Sequence, residues 1–278
     1  MSCDDARMST DAAARATSSA SRVPPLGWVL GLPLLRVVLV GLAAAITWLL
    51  LAGDGGPGAF PPEFTYAALT ILPINLISLW LVRRALHREG IRASDLIDFS
   101  WRRLGTDVLW GLVWLTALSV PFAIAMVGVL VGLEGVGVFE RFDTIFVGAG
   151  SSQPPDRTLL AVTAVVTVLT FAPLNAPTEE LVYRGYSQGG LQRHRWPAFW
   201  AVVVPAAVFG LQHVFFAPAG PLTLAYVAAF FVWGAGAGII VWWQRRLMPI
   251  IVAHFLTNLF TSAPVLVLVF LPDEVLAG

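Results

Sequence analysis

The chain contains no lysine and few charged residues of any kind. All 17 basic residues are arginine, 17 acidic residues balance them, and charged residues make up 12% of the 278 positions. Soluble domains usually carry about 25% charged residues, so this composition excludes an ordinary soluble globular protein. The net charge of zero also gives no general attraction to nucleic acid, and we expect no nucleic-acid partner.

Cysteine is almost absent as well. Cys3 is the single cysteine, so neither an intrachain disulfide nor a thiolate metal cluster can form. Residues 1–24 are rich in Ser, Ala and Arg and lack the apolar segment of a cleaved signal peptide. We therefore predict that residues 1–24 form a disordered cytoplasmic tail and that the first span serves as an uncleaved targeting signal.

Apolar residues, in contrast, are abundant. They make up 57% of the chain, and the mean hydropathy is +0.77. A helix needs about 20 apolar residues to cross a bilayer. The sequence offers seven such segments: 28–52, 64–82, 106–132, 158–183, 198–216, 222–243 and 248–270. The sequence predicts an all-α, polytopic transmembrane helical bundle of about seven to eight spans, and leaves open an eighth span or a re-entrant segment.

The distribution of arginine predicts the orientation. With a cytoplasmic N-terminus, the outer loops keep only Arg141 and Arg157. The inner segments then hold the larger basic set: Arg7, Arg15, Arg22, Arg83, Arg84, Arg88, Arg92, Arg102, Arg103, Arg193, Arg195, Arg245 and Arg246. Positive charge accumulates on the cytoplasmic side. We expect a multi-pass protein of the cell membrane with a cytoplasmic N-terminus, and an outer C-terminus if seven spans are correct.

The two halves of the chain differ in character. Residues 25–157 hold three predicted spans with few interior polar groups, and residues 158–270 hold the polar residues suited to chemistry. Between the second and third spans, residues 84–104 form a basic amphipathic segment that we predict to lie at the lipid headgroups. The loop 133–157 is either an external cap or a half-inserted element.

Two adjacent acids lie within an apolar segment. Glu179 and Glu180 follow Pro173 and Pro177, and Arg184 comes four residues after the second acid. A charge at bilayer depth costs about 2.5–3.5 kcal/mol. Glu180 and Arg184 are placed to form an i,i+4 ion pair, whereas Glu179 is turned about 100° away and must face another group. The prolines predict a kinked or restarted helix. These acids are either reactive groups or links between helices.

Two later spans carry histidine. Phe209 and His213 share one helical face, and His254 and Asn258 are one turn apart. A lone buried histidine is usually a hydrogen-bonded core residue, and asparagine often joins membrane helices. The combination with Glu179 nevertheless indicates a reaction centre. Glu179 and His254 lie nearer the predicted inner ends of their spans, which favours a site that opens toward the cytoplasm. His213 conflicts with this prediction: it is about 16 residues, or roughly 24 Å, into its span, too far outward unless that helix tilts or starts below the membrane.

These motifs resemble those of a known family. Glu-Glu-x-x-x-Arg, Phe-x-x-x-His and His-x-x-x-Asn occur in that order on successive spans. They are similar to the three motifs of the CPBP family, the CAAX prenyl endopeptidase and bacteriocin-processing proteins, also called Abi proteins. The resemblance covers residues 158–262. It implies an intramembrane endopeptidase, CAAX-protease-like, that acts on a membrane-associated protein or peptide, whose prenylation cannot be assumed.

The chemistry of the residues agrees with the roles that the resemblance implies. Glu179 is the expected general base and His213 helps to hold and polarise the attacking water. His254 and Asn258 are expected to stabilise the oxyanion. The remaining two site residues, Glu180 and Arg184, are expected to form the supporting ion pair.

The role of a metal is left open by the sequence. Glu179, His213 and His254 form a recognised type of catalytic zinc site, but a metal-free glutamate mechanism uses the same residues. Other functions also remain. One is a non-catalytic membrane scaffold, or a bacteriocin-immunity or regulatory protein. Another is a proton-coupled transporter, which the lack of an internal repeat disfavours.

Overall fold

Helices make up the whole of the regular structure. The computed structural model describes residues 23–50, 60–61, 64–141, 157–217, 220–268 and 270, and these contain no β-strand. The all-α prediction is therefore confirmed for this part of the chain. The predicted tail, apart from residues 23–24, and most of the loop 133–157 lie outside the described residues.

Ten α-helices follow one another in the described parts. They are α1 (Leu26–Leu50), α2 (Phe64–Arg88), α3 (Ala93–Ile97), α4 (Leu104–Glu134), α5 (Arg157–Val166), α6 (Ala176–Glu180), α7 (Gly189–Arg193), α8 (Ala198–Gln212), α9 (Pro221–Gln244) and α10 (Met248–Leu268). Short 3₁₀ helices lie at Trp101–Arg103, Val136–Arg141 and His213–Phe215. The predicted amphipathic segment 84–104 thus comprises the end of α2, α3 and one 3₁₀ turn.

Several of these helices suit a bilayer. Four stretches are long and apolar enough to cross a membrane: Leu26–Leu50, Ala93–Glu134, Ala198–Phe215 and Pro221–Gln244. Met248–Ala263 is apolar but shorter. This number is smaller than the predicted seven to eight spans, so that number stays a prediction, as does the cytoplasmic position of the N-terminus.

The helix that carries the two acids is continuous but distorted. Between α5 and α7 it passes through two π-helical segments, Thr167–Asn175 and Leu181–Gln188, which flank α6. Pro173 lies in the first of them. Proline has no backbone N–H and its ring clashes with the preceding turn of an α-helix, and a wider turn accommodates both effects. The helix therefore distorts at Pro173, as predicted, without ending there.

Helices α8 and α9 pack closely, and a glycine makes this approach feasible. A Cβ atom added at Gly210 would lie 2.7 Å from the Val227 carbonyl oxygen and 3.0 Å from the Phe231 backbone nitrogen. Both neighbours are backbone atoms of α9, so they cannot move aside as a flexible side chain would. The contact brings the end of α8, where His213 follows, against α9.

This contact gives a prediction about stability. We expect Gly210→Ala to destabilise the protein by about 1–3 kcal/mol, because overpacking forces the two helices apart. Gly128→Ala in α4 is the matched control, since a Cβ there meets nothing within 4 Å and alanine is the better helix former. Thermal unfolding in one detergent should show a lower midpoint for the first variant only. Equal midpoints would contradict the proposed close contact.

Candidate active site

Three parts of the fold bring the predicted site residues together. Helix α6 supplies the two acids, the 3₁₀ turn after α8 supplies His213, and α10 supplies His254 and Asn258. All of these side chains are buried: Glu179, Glu180, Arg184, His213, His254 and Asn258. The predicted residues thus converge in the interior of the bundle and do not point outward to lipid.

Glu180 contacts side chains of its own helix and of α10. Its Oε1 accepts a hydrogen bond from Arg184 Nη1 at 3.1 Å, which is the predicted i,i+4 ion pair. The same oxygen lies 2.8 Å from His254 Nδ1 on α10. Arg184 also donates to the Gly234 carbonyl oxygen at 3.1 Å. Glu180 therefore orients the His254 imidazole, a role that sequence spacing did not reveal.

His254 lies between the two carboxylates. Its Nδ1 faces Glu180, and its Nε2 is 3.5 Å from Glu179 Oε2. A carboxylate partner on one ring nitrogen sets the direction of the other nitrogen. The Nε2 atom is thereby turned toward the acid that we expect to react.

His213 is held by its own helix and by aromatic rings. Its Nδ1 is 2.8 Å from the Phe209 carbonyl oxygen, to which it donates. Its ring stacks on Phe230, with centroids 3.5 Å apart and planes 8° apart. With Nδ1 engaged, Nε2 is the nitrogen left for other chemistry.

The two imidazoles contact the same aromatic ring. Both contact the Phe209 ring, with centroid distances of 4.8 Å for His213 and 6.0 Å for His254. The residue before His213, Gln212, hydrogen-bonds to Glu179. The end of α8 therefore meets α6 and α10 in the interior. The depth of His213 in the bilayer stays a prediction.

Glu179 has a charged partner that the sequence analysis missed. Its Oε1 accepts hydrogen bonds from Arg36 Nη2 at 2.9 Å and from Gln212 Nε2 at 2.6 Å. Arg36 lies in α1 and is 1% exposed. A signal was available, because a lone arginine inside an apolar span requires an acidic or polar partner in the interior.

The Arg36 guanidinium donates hydrogen bonds to side chains from four parts of the fold. In addition to Glu179, it donates to Ser78 Oγ at 3.0 Å, Asn75 Oδ1 at 2.8 Å, Asn175 Oδ1 at 2.8 Å and Gln212 Oε1 at 3.1 Å. Three of these acceptors lie within hydrogen-bond distance of Nη2, which carries two hydrogens. The three acceptors therefore share these two hydrogens. The network connects α1 and α2 to the helices that carry the motifs.

Two buried polar atoms at the motif residues lack a partner within the described residues. They are Asn258 Nδ2 and Glu180 Oε2. Leaving a buried donor or acceptor unpaired costs about 1–3 kcal/mol, and such groups are usually explained by a bound water or a reacting molecule. The free Asn258 amide donor is therefore suited to a developing oxyanion.

The predicted metal set of Glu179, His213 and His254 stays a prediction. The described part of the chain contains no group of three or more His, Cys, Asp or Glu residues placed to hold a metal ion. Glu179 Oε1 is already bound by a guanidinium and an amide, and a nearby positive charge opposes a second cation. We therefore derive no catalytic step through a metal at Glu179, His213 and His254.

Comparison with known proteins agrees with the motifs. Residues 161–260 match the family model of type II CAAX prenyl endopeptidase Rce1-like proteins. All three motifs lie inside this range, and Arg36, Asn75 and Ser78 lie outside it. Neither the curated proteins nor the solved structures give a significant match. The match confirms the family resemblance predicted from the sequence.

Proposed function

Because residues 161–260 belong to the type II CAAX prenyl endopeptidase Rce1-like family, we propose that the protein hydrolyses a peptide bond in a membrane-associated protein or peptide with water activated by Glu179 and His213. The family supports a multi-pass membrane peptidase. The observation that carries the mechanism is the placement of His254 between Glu180 Oε1, at 2.8 Å, and Glu179 Oε2, at 3.5 Å.

Glu179 begins the proposed reaction as a general base. It takes a proton from a water molecule, which the free Nε2 of His213 helps to hold. The water oxygen bonds to the peptide carbonyl carbon, and the carbonyl oxygen becomes an oxyanion. The amide of Asn258 and the imidazole of His254 stabilise that oxyanion.

The collapse of this intermediate completes the hydrolysis. The C–N bond breaks as Glu179 passes the proton to the leaving nitrogen, so that a carboxylic acid and an amine leave the site. Glu180 and Arg184 do not contact the reacting atoms in this scheme. They keep His254 in place through the 2.8 Å and 3.1 Å contacts of Glu180 Oε1.

A cleavage assay in lipid nanodiscs tests the proposed function. The probes are a peptide with a C-terminal CAAX sequence, once farnesylated and once unmodified, and an apolar membrane-spanning peptide. We expect the wild-type protein to cleave at least one probe, as measured by mass spectrometry, and Glu179→Gln to leave it intact. Equal product from wild type and Glu179→Gln would overturn the assignment of the base. No product from folded wild-type protein with any probe would favour the scaffold or immunity protein.

Removal of metal is expected to leave the cleavage rate unchanged. The Arg36 guanidinium lies 2.9 Å from Glu179 Oε1. It already neutralises the negative charge of Glu179, which would otherwise attract a metal cation. The measurement is the rate after incubation with EDTA and with 1,10-phenanthroline, followed by dialysis. Loss of activity that Zn²⁺ restores would instead support the zinc set Glu179, His213 and His254.

A further inference from the structure

The acid that begins the proposed reaction is held by a residue from the other half of the chain. We propose that Arg36 is a positioning residue for Glu179: it binds Oε1 so that Oε2 is the oxygen that takes the proton from water. This inference rests on the proposed function. It assigns a role to α1, which lies outside the matched residues 161–260.

The first argument is the difference between the two oxygens of Glu179. A carboxylate oxygen has two lone-pair directions. Oε1 accepts from Arg36 Nη2 at 2.9 Å and from Gln212 Nε2 at 2.6 Å, which uses both. The contact that the structure shows for Oε2 is His254 Nε2 at 3.5 Å. Oε2 therefore faces the reaction centre with a lone pair to spare.

The second argument is a closed ring of hydrogen bonds. Gln212 Oε1 accepts from Arg36 Nε at 3.1 Å and from the Tyr183 hydroxyl at 2.9 Å. These two donors fix the amide of Gln212 so that its Nε2 points at Glu179. His213, which holds the water in the proposed mechanism, is the next residue in the chain. Arg36 thus binds Glu179 directly and fixes the side chain of the residue that precedes His213.

The third argument is charge. Among the hydrogen-bond partners of Arg36 in the described residues, Glu179 is the charged one, and the others are amides and a hydroxyl. Both members of this pair are at most 2% exposed. Removal of either one leaves an uncompensated charge in the interior, so the stabilities of single and double variants must be coupled.

The kinetic test compares three substitutions in nanodiscs with the peptide that the wild type cleaves. Arg36→Gln is expected to lower kcat about 100-fold, the cost of a misplaced catalytic group, while KM changes less than about threefold. Arg36→Lys keeps the charge and should recover part of kcat. Arg246→Gln is the matched control, because it breaks a 2.7 Å pair with buried Asp107 outside the site and should keep the wild-type kcat per folded molecule.

A stability cycle keeps the proposal testable if a single variant folds poorly. Arg36→Met and Glu179→Gln should each lower the unfolding midpoint, and the double variant should regain part of the loss, although it stays inactive. Wild-type kcat in Arg36→Gln, or strictly additive midpoints, would overturn the positioning role and leave the proposed function intact. If the wild type cleaves none of the probes, both the proposed function and the positioning role are wrong. Coupled unfolding midpoints would then indicate only a structural ion pair between Arg36 and Glu179.

Discussion

Glu179→Gln is expected to lower the rate of peptide hydrolysis by about 100-fold to 10,000-fold, the usual contribution of a general base. Glutamine has nearly the same shape and keeps an oxygen that Arg36 and Gln212 can approach. It has no basic oxygen, however, and therefore cannot take the proton from water. The effect should appear in kcat, measured in nanodiscs with protein of verified fold.

Glu89→Gln is the control for this experiment. Glu89 is also a buried acid paired with an arginine, at 3.0 Å from Arg193, but it lies in the turn directly after α2 and outside the motifs. Burial raises the pKa of the Glu89 carboxyl, although Tyr186 and Arg193 act against this shift. A neutral amide is therefore a mild change there, and we expect the wild-type rate. A comparable loss in both variants would show that buried acids matter here for folding and not for chemistry.

Glu180→Ala is expected to lower the free energy of unfolding by about 3–5 kcal/mol, as is usual when one member of a buried ion pair is removed. The Glu180 side chain is 0% exposed. Its loss leaves Arg184 and His254 without the oxygen that both contact. Denaturant or thermal unfolding in a single detergent measures the change.

An exposed acid provides the comparison. Asp98 pairs with Arg103 at 2.7 Å, but both side chains are more than 40% exposed. Exposed ion pairs contribute about 0–1 kcal/mol, so Asp98→Ala should change stability little. Glu180→Gln should lie between the two, since it keeps an acceptor for Arg184. If Glu180→Ala is no more damaging than Asp98→Ala, the proposed support of His254 by Glu180 is wrong.

Local spacing made part of the site predictable. Residues four apart on a helix lie on one face, so the Glu180–Arg184 pair and the shared face of Phe209 and His213 could be inferred without coordinates. The rotation of Glu179 by about 100° from Glu180 followed from the same geometry. The identity of its partner did not follow, because Arg36 is 143 residues away in the chain.

Helix distortion and contacts between separate helices set a second limit on prediction. The two prolines indicated a disturbed helix, but not that it would widen into π turns on both sides of the acids. A regular helix predicts that His213 lies too far from a cytoplasmic opening. The approach of α8 to α9 at Gly210 and the hydrogen bond from Gln212 to Glu179 bring the end of α8 to the acids. Neither contact follows from residue spacing, because each joins separate helices.

The sequence by itself determined the all-helical class, the order of the three motifs and their family, because composition and i,i+4 spacing are properties of short segments. Only the tertiary structure decided which charges neutralise each other. A buried charge takes whichever partner the packing of distant helices brings within hydrogen-bond reach. Here that packing pairs Arg36 with Glu179, and it also places the His254 imidazole beside Glu180.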